Sequence, residues 1–310
     1  MSFFSDIQGI FIRGASYKKS TRCDGKVVII TGANAGIGKE TAVELAARGA
    51  KVYIACRSIE RGQSACKEII QRTGNENVFV RKLDLASFAS IREFAKGFLK
   101  EEKQFDILIN NPGVMAIPLW RTEDLLEMQI GVNHFGHFLL TNLLLPLIKA
   151  TESSRIINVS SMAHRWGKIK TDDLNSEKSY NEISCYAQSK LANILFTREL
   201  AKRLKDTKTT VNALHPGVVK TELARHVEKM NFLFNSKILS FFMYFFNKTA
   251  KQGAQTTIYA ALDPDLANVS GQYFAECGLG KIYKQGLDDD IAKWLWNVSE
   301  KWTKLDSKSE

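Results

Sequence analysis

The feature that most constrains this 310-residue sequence is an alternation: short apolar, β-branched runs take turns with longer amphipathic ones. KVVIIT (Lys26–Thr31), KVYIAC (Lys51–Cys56), VFVRKL (Val78–Leu83), FDILIN (Phe105–Asn110), RIINVS (Arg155–Ser160) and TVNALH (Thr210–His215) read as strands, with a last short strand near Gln272–Phe274. Between them, Gly36–Gly49, Ile59–Thr73, Ser87–Lys103, Thr122–Leu145 and Ser184–Leu204 read as helices, the fourth stopped by Pro146. Strands that are apolar throughout and alternate with helices build right-handed βαβ units, and so a parallel sheet covered on both faces. The expectation is a single α/β domain with a doubly wound parallel sheet, because no repeat or Pro/Gly-rich linker divides the chain. Ligands of such a sheet bind outside the C-terminal ends of its strands. The body is expected over residues 25–285, after an N-terminal extension (1–24) and before a C-terminal helix (286–310).

Composition works by exclusion. Hydrophobic residues at 45% and charged residues at 25% are the mix of an ordinary soluble globular chain. The formal charge of +10, from 43 Lys and Arg against 33 Asp and Glu, is spread along the chain without a dense basic block. That speaks against nucleic acid; a solvated surface and an anionic cofactor account for the excess. Five cysteines, an odd count with no CxxC pair, point to a reducing, intracellular setting rather than a disulfide framework or zinc ribbon. The sequon at Asn158 lies in a predicted strand, where a glycan does not fit. No run reaches the ~18–20 apolar residues of a spanning helix. Phe3, Phe4, Ile7, Ile10 and Phe11 nevertheless recur at helical spacing before Arg13, Lys18, Lys19 and Arg22. A helix packed on the body and a helix lying on a membrane surface both fit, so peripheral contact with an endoplasmic-reticulum or mitochondrial membrane stays open.

The chemistry clusters at predicted strand ends. The first strand runs into TGANAGIG, whose Gly32, Gly36 and Gly38 make a tight turn leading to a helix N-terminus. Glycines permit close backbone approach, and the free N–H groups favour a pyrophosphate. Arg57, at the end of the second strand, stands where an acidic residue would accept from a ribose 2′-hydroxyl; it suits a 2′-phosphate instead, and Lys39 adds charge nearby, so NADP(H) is the expected cofactor. Asp84 fits two roles, acceptor for an adenine amino group or cap of the next helix. Tyr186 and Lys190 in YAQSK are four apart and share a helix face. A cation one turn away lowers a phenol's pKa and equips Tyr186 to exchange a proton with a carbonyl or alcohol oxygen. Ser161 supplies a hydroxyl for that oxygen, while Ser160 points the other way. Asn133, among the glycines of GVNHFGHF, predicts a distorted turn whose freed carbonyl holds a water. His134 and His137 lack the spacing and third ligand of a metal site.

These motifs together resemble the short-chain dehydrogenase/reductases over roughly residues 25–280. TGANAGIG, Asp84, the NNPG run Asn110–Gly113, Asn133, Ser161, Tyr186, Lys190 and HPGVVKTE (His215–Glu222) carry the likeness. VRKLDL, GVNHFGHFLLTNLLL, INVSSMAH and YAQSKLANILFTRELAKRL extend it to the retinol dehydrogenases. The resemblance implies a Rossmann-type fold and a catalytic tetrad of Asn133, Ser161, Tyr186 and Lys190. It further implies that Asn34, Ile37, Leu85, Asn111, Gly113, Pro216, Gly217, Val219 and Thr221 join the cofactor site, and that Tyr186 and Lys190 also touch the cofactor. Retinal and retinol are the implied substrate pair; a steroid or other lipid carbonyl, and a cofactor-binding membrane-surface module with vestigial activity, are the alternatives. Pro112 replaces the alanine usual in the family beside the adenosine pocket and puts cofactor affinity in question. Residues 232–246 hold eleven apolar or aromatic side chains in fifteen and fall in a segment, 220–250, that covers substrate in the family. A lipophilic substrate, a membrane surface, a core helix and a homo-oligomer contact are all compatible with it.

Overall fold

The computed structural model describes residues 14–111, 113–219 and 248–305. Eight strands form one sheet in the order β3-β2-β1-β4-β5-β6-β7-β8. They are β1 (Val27–Thr31), β2 (Lys51–Cys56), β3 (Val78–Lys82), β4 (Ile107–Asn110), β5 (Arg155–Val159), β6 (Thr210–Leu214), β7 (Tyr273–Ala275) and β8 (Gly278–Leu279). All neighbours pair in parallel except β7 and β8, which form an antiparallel hairpin at one edge. The expected α/β doubly wound sheet is what the chain builds.

Side-chain alternation sends successive strand residues to opposite faces of the sheet, over two large apolar cores. Val28, Ile30, Val52, Ile54, Ile107, Ile109 and Ile157 face α1 (Gly36–Ala47), α2 (Ile59–Thr73) and α6 (Ala250–Leu262). Val27, Ile29, Tyr53, Leu108, Ile156 and Val211 face α3 (Phe88–Glu101), α4 (128–150) and α5 (Glu182–Arg203). Helix α4 is composite: a turn of α-helix at Met128–Ile130, a π-helical stretch at Gly131–Gly136, and α-helix again at His137–Ala150. The C-terminal α7 (Asp289–Thr303) lies over α4 and α5, with Trp296 buried against Phe138 and Phe196 and Trp302 stacked on Phe135 at 5.1 Å between ring centroids. The C-terminal tryptophans Trp296 and Trp302 therefore pack.

Two helix boundaries depart from the sequence reading. Pro146 does not end α4 but sits inside it, and helix begins at Met128, not Thr122. Thr122 instead belongs to a tight turn, where its backbone N–H donates to Leu126 O at 2.8 Å. Glu127 then caps the helix, its carboxylate accepting from the N–H groups of Gln129 and Ile130. Asn158 is buried in β5, its amide donating to Thr197 Oγ1, so that sequon belongs to the core. Among the described residues no helix is long and apolar enough to cross a membrane. The N-terminal run Phe3–Arg13, Pro112, Thr221 and the aromatic segment 232–246 lie outside the described residues.

Candidate active site

Sheet order reverses between β1 and β4: the chain leaves β1 for β2 and β3 on one side, then returns to β4 on the other. Strand connections diverge there and open a crevice at the C-terminal strand ends. Every described residue named above as a site candidate falls on that edge or on the helices facing it. Gly32, Asn34, Gly36, Ile37, Gly38 and Lys39 form the β1–α1 turn and the first turn of α1. Arg57 follows β2, Asp84 and Leu85 follow β3, Asn111 and Gly113 follow β4, Ser161 follows β5, and Pro216, Gly217 and Val219 follow β6.

The glycine turn is shaped by sterics. Gly32 and Gly36 take φ of 67° and 57°, the left-handed region that side chains disfavour. A β-carbon on Gly38 would lie 2.7 Å from Asn111 Nδ2 and 2.9 Å from Gly32 O. Helix α1 then begins at Ala35 with no side-chain cap and no acidic residue in its first turn. Its leading N–H groups are therefore available to an anion. Across the crevice a β-carbon on Gly113 would come within 3.0 Å of Lys190 Nζ and 3.2 Å of Asn133 Oδ1. The bare backbone at both points fits a dinucleotide laid flat over the strand ends.

The polar residues on the other side are buried. Helix α5 is capped by Asn181, whose Oδ1 accepts from Ser184 N, and packs on β5 and β6 with most of its residues inaccessible. Ser160 Oγ donates to Lys190 O at 2.7 Å, and Lys190 Nζ donates to Val159 O at 3.1 Å. Lys190 is 2% exposed and Tyr186 7%. The ammonium sits 5.7 Å from the Tyr186 ring centroid, and burial, with no carboxylate partner among the described residues, lowers it to about 8. Burial also raises the Tyr186 phenol above its usual value, while its hydrogen bond with Ser161 pulls the other way. Desolvation disfavours charge on either group and is the larger influence on both.

Ser161 caps a short 3-10 helix, Met162–Trp166, accepting from Ala163 N. His164 grips the same turn, its Nδ1 2.7 Å from Ser161 O, with its ring edge-on to Tyr273. Asn133 lies in the π-helical stretch, so the distortion read from its flanking glycines is present. Its side chain is fully engaged: Oδ1 accepts from Val114 N at 2.8 Å, and Nδ2 donates to Val114 O and Ser189 Oγ. Its carbonyl lies 3.1 Å from His137 Nδ1. Gln129, one turn earlier, accepts from Ala116 N and donates to Glu182 O. Asn133 and Gln129 together fix the loop after β4. Gln129, Ser189 and His164 were not singled out from the sequence. Four-residue spacing from Asn133 marks Gln129, and adjacency to Lys190 marks Ser189, but only the folded loop shows what they hold.

Three candidates behave otherwise than a simple reading of their charges implies. Lys39 is tied to Glu68 on α2 at 2.7 Å, so its charge is largely spent within the protein. Arg57 is exposed, and no ion pair or hydrogen bond among the described residues engages it. Asp84 accepts from Ala86 N in a local turn, and the cap of α3 falls to Ser87.

A switch-point crevice with a glycine turn at one end and a buried Tyr–Lys pair at the other defines a nucleotide-dependent oxidoreductase of the Rossmann type. Comparison with known proteins agrees. The family model described as short chain dehydrogenase matches residues 26–231, and the chain belongs to that family. It is 53% identical over 275 residues to retinol dehydrogenase 11 of Homo sapiens, covering 89% of this chain and 85% of the relative. It is 51% identical over 304 residues to retinol dehydrogenase 12 of Homo sapiens, covering 96% and 94%. An uncharacterized protein of Mycobacterium paratuberculosis superposes with a TM-score of 0.74 at 36% identity, over 92% of this chain and 95% of that one. This is an oxidoreductase of the retinol dehydrogenase type, and the fold implies a nicotinamide cofactor.

Proposed function

We propose that the protein interconverts a lipophilic aldehyde or ketone and its alcohol using NADP(H), with retinal and retinol as the leading pair. The observation that carries this reading is the burial of Tyr186 and Lys190, with the half-buried Ser161 hydrogen-bonded to Tyr186 and Lys190 Nζ beside the bare backbone of Gly113. The nicotinamide supplies or takes the hydride when bound. Everything else is the chain's own work. Tyr186 Oη holds the proton that passes to the carbonyl oxygen in reduction and takes it back in oxidation. Ser161 Oγ donates to the same oxygen and steadies charge developing on it. Lys190, over the tyrosine ring, favours the phenolate when the proton leaves. Asn133 holds the loop carrying Gly113 and Val114 in place. Asn34, Ile37, Leu85, Asn111, Pro216, Gly217 and Val219 line the crevice for the rest of the cofactor, and Asp84, with one carboxylate oxygen free of the local turn, faces the adenine end.

NADP(H) over NAD(H) is supported by Arg57, a guanidinium free to meet a 2′-phosphate; Lys39 adds less because Glu68 holds it. A lipophilic substrate is supported by the retinol dehydrogenases among the relatives and by the aromatic run at 232–246.

The test is NADPH oxidation by purified protein with all-trans-retinal, beside NADH and beside Tyr186→Phe. NADPH-selective turnover that falls by about three orders of magnitude in the variant is expected. Turnover that survives the substitution refutes the assignment of Tyr186. Turnover with a steroid but not with retinal transfers the reading to the alternative substrate class. Dinucleotide binding without any turnover leaves the cofactor-binding module.

A further inference from the structure

His137 takes no part in the chemistry above, yet it stands between the two halves of the site. It is 2% exposed, on the first turn after the π-helical stretch of α4. Its Nδ1 lies 3.1 Å from Asn133 O, and its Nε2 lies 3.1 Å from Thr31 Oγ1 at the end of β1. Thr31 Oγ1 in turn accepts from Asn111 N at 3.0 Å, and Thr31 O accepts from Asn111 Nδ2. Asn111 Nδ2 is the atom that a side chain on Gly38 would strike.

Proton bookkeeping fixes the direction of this chain. A carbonyl only accepts, so Nδ1 of His137 carries the hydrogen and donates to Asn133 O. The imidazole is neutral, because burial holds it far below its ordinary range, at about 4, and the charge of Lys190 pushes the same way. Nε2 is then a bare acceptor facing the Thr31 hydroxyl, whose hydrogen has two acceptors within reach, His137 Nε2 at 3.1 Å and Ile109 O at 3.2 Å, the first of which has no other donor in this network. The order runs Asn111 N–H to Thr31 Oγ, Thr31 O–H to His137 Nε2, and His137 Nδ1–H to Asn133 O. Each link polarises the next.

We propose that His137 is a positioning residue: its two ring nitrogens lock the turn carrying Asn133 to the end of β1, so that cofactor turn and proton-transfer site are held in one register. The idea rests on the assignment of the crevice to a dinucleotide and a carbonyl given above. It predicts two separable effects, because the ring has two ends. Near-end loss frees the Asn133 turn beside Lys190 and acts on kcat. Far-end loss frees Thr31 and Asn111 and acts on dinucleotide affinity.

Three substitutions separate the ends. His137→Asn places an amide N–H where Nδ1–H stood and lacks the far nitrogen. Thr31→Val removes the far partner, together with that hydroxyl's contacts to Asn111 N and Ile109 O. His137→Leu removes both ends. Expected are an NADPH dissociation constant, read by fluorescence titration, raised about tenfold in His137→Asn and in Thr31→Val, with kcat within about threefold. The double variant should be no weaker than either single one, since both cut the same link. His137→Leu should lose at least about tenfold in kcat besides. A second readout needs no turnover: in 15N-histidine NMR of the full chain, His137 should appear as the neutral Nδ1–H tautomer. An Nε2–H tautomer, or effects of His137→Asn and Thr31→Val that multiply, or a His137→Leu variant within twofold of native in both constants, overturns the proposal. If native protein reduces no carbonyl at all, it is the functional reading that fails, while titration and tautomer still decide this one. Should His137→Leu fail to fold, the Asn and Val variants carry the test.

Discussion

The two ends of the crevice are built from different materials. At the dinucleotide end, recognition is mostly backbone: Gly32 and Gly36 in left-handed conformations, Gly38 packed against Asn111, an uncapped helix start and one exposed guanidinium. At the chemical end it is side chains taken out of water, with Asn133 and Ser189 inaccessible, Lys190 nearly so, and no carboxylate among the described residues beside the ammonium. The first end is limited by space and the second by charge. Fold and function therefore depend on the same atoms at the glycine turn, whereas at Tyr186 and Lys190 function is bought at the fold's expense. Substitutions should separate the two ends by whether stability and activity move together or apart.

The sharpest separation is expected at Lys190. Its folded value near 8 lies below that of an exposed lysine, so its burial costs stability wherever the unfolded chain is protonated. That cost is fully present below about pH 8 and is relieved as pH rises toward the unfolded value. Lys190→Met should abolish turnover, by about three orders of magnitude, yet raise stability at pH 7 by about 2 kcal/mol in denaturant titration. A variant both inactive and less stable breaks the contrast. Gly38→Ala should show the opposite coupling. The added methyl meets Gly32 O at 2.9 Å and Ala33 Cα at 3.0 Å, neither of which yields like a side chain. A stability loss of about 1–3 kcal/mol and an NADPH dissociation constant raised at least about thirtyfold are expected together.

Arg57 tests the exception, the one charge at the backbone-built end. Because it is exposed and engaged by nothing else among the described residues, Arg57→Glu should leave the unfolding midpoint within experimental scatter. NADPH affinity should fall about tenfold to a hundredfold, with NADH affinity unchanged or improved. Equal weakening toward both dinucleotides removes the 2′-phosphate from the interpretation.

The sheet was legible because its physics is local: an apolar run four to six residues long between amphipathic helices has few other uses, and period-two alternation placed Val28 and Ile29 on opposite faces. Helix α4 was legible in part. The glycines of GVNHFGHF marked a distortion, and the π-helical stretch is there. Its ends were not, because Pro146 reads as a stop locally, but a helix packed on both sides tolerates a proline that propensity alone forbids. Nor did spacing reveal where the charges go. Lys39 looked available until α2 brought Glu68 to it, and the burial that shifts both Tyr186 and Lys190 leaves no trace in their four-residue spacing. Adjacency along a helix is written in the sequence; solvent exposure is set by elements 50 or more residues distant, as α7 shows by closing over α4.

His134 and His137, three apart in α4, carry the comparison to its smallest scale. His137 points into the site. His134 points away, its Nε2 2.8 Å from Ser299 Oγ on α7 and its ring among Phe135, Phe138 and Phe196. Burial depresses His134 to about 3, so the folded protein holds it neutral. Between the unfolded value of 6.5 and the folded one, the unfolded chain binds the extra proton, and stability falls as pH falls. From pH 7 to pH 5 this one residue should cost about 2 kcal/mol. His134→Phe removes the titration and leaves Ser299 Oγ its hydrogen bond to Leu295 O. Denaturant titrations at the two pH values should show the variant losing about 2 kcal/mol less than native protein, with turnover at pH 7 little changed. An unaltered pH dependence would mean that the acid sensitivity lies with His137 and His215, both held near 4, and that α7 closes over a histidine already free to charge.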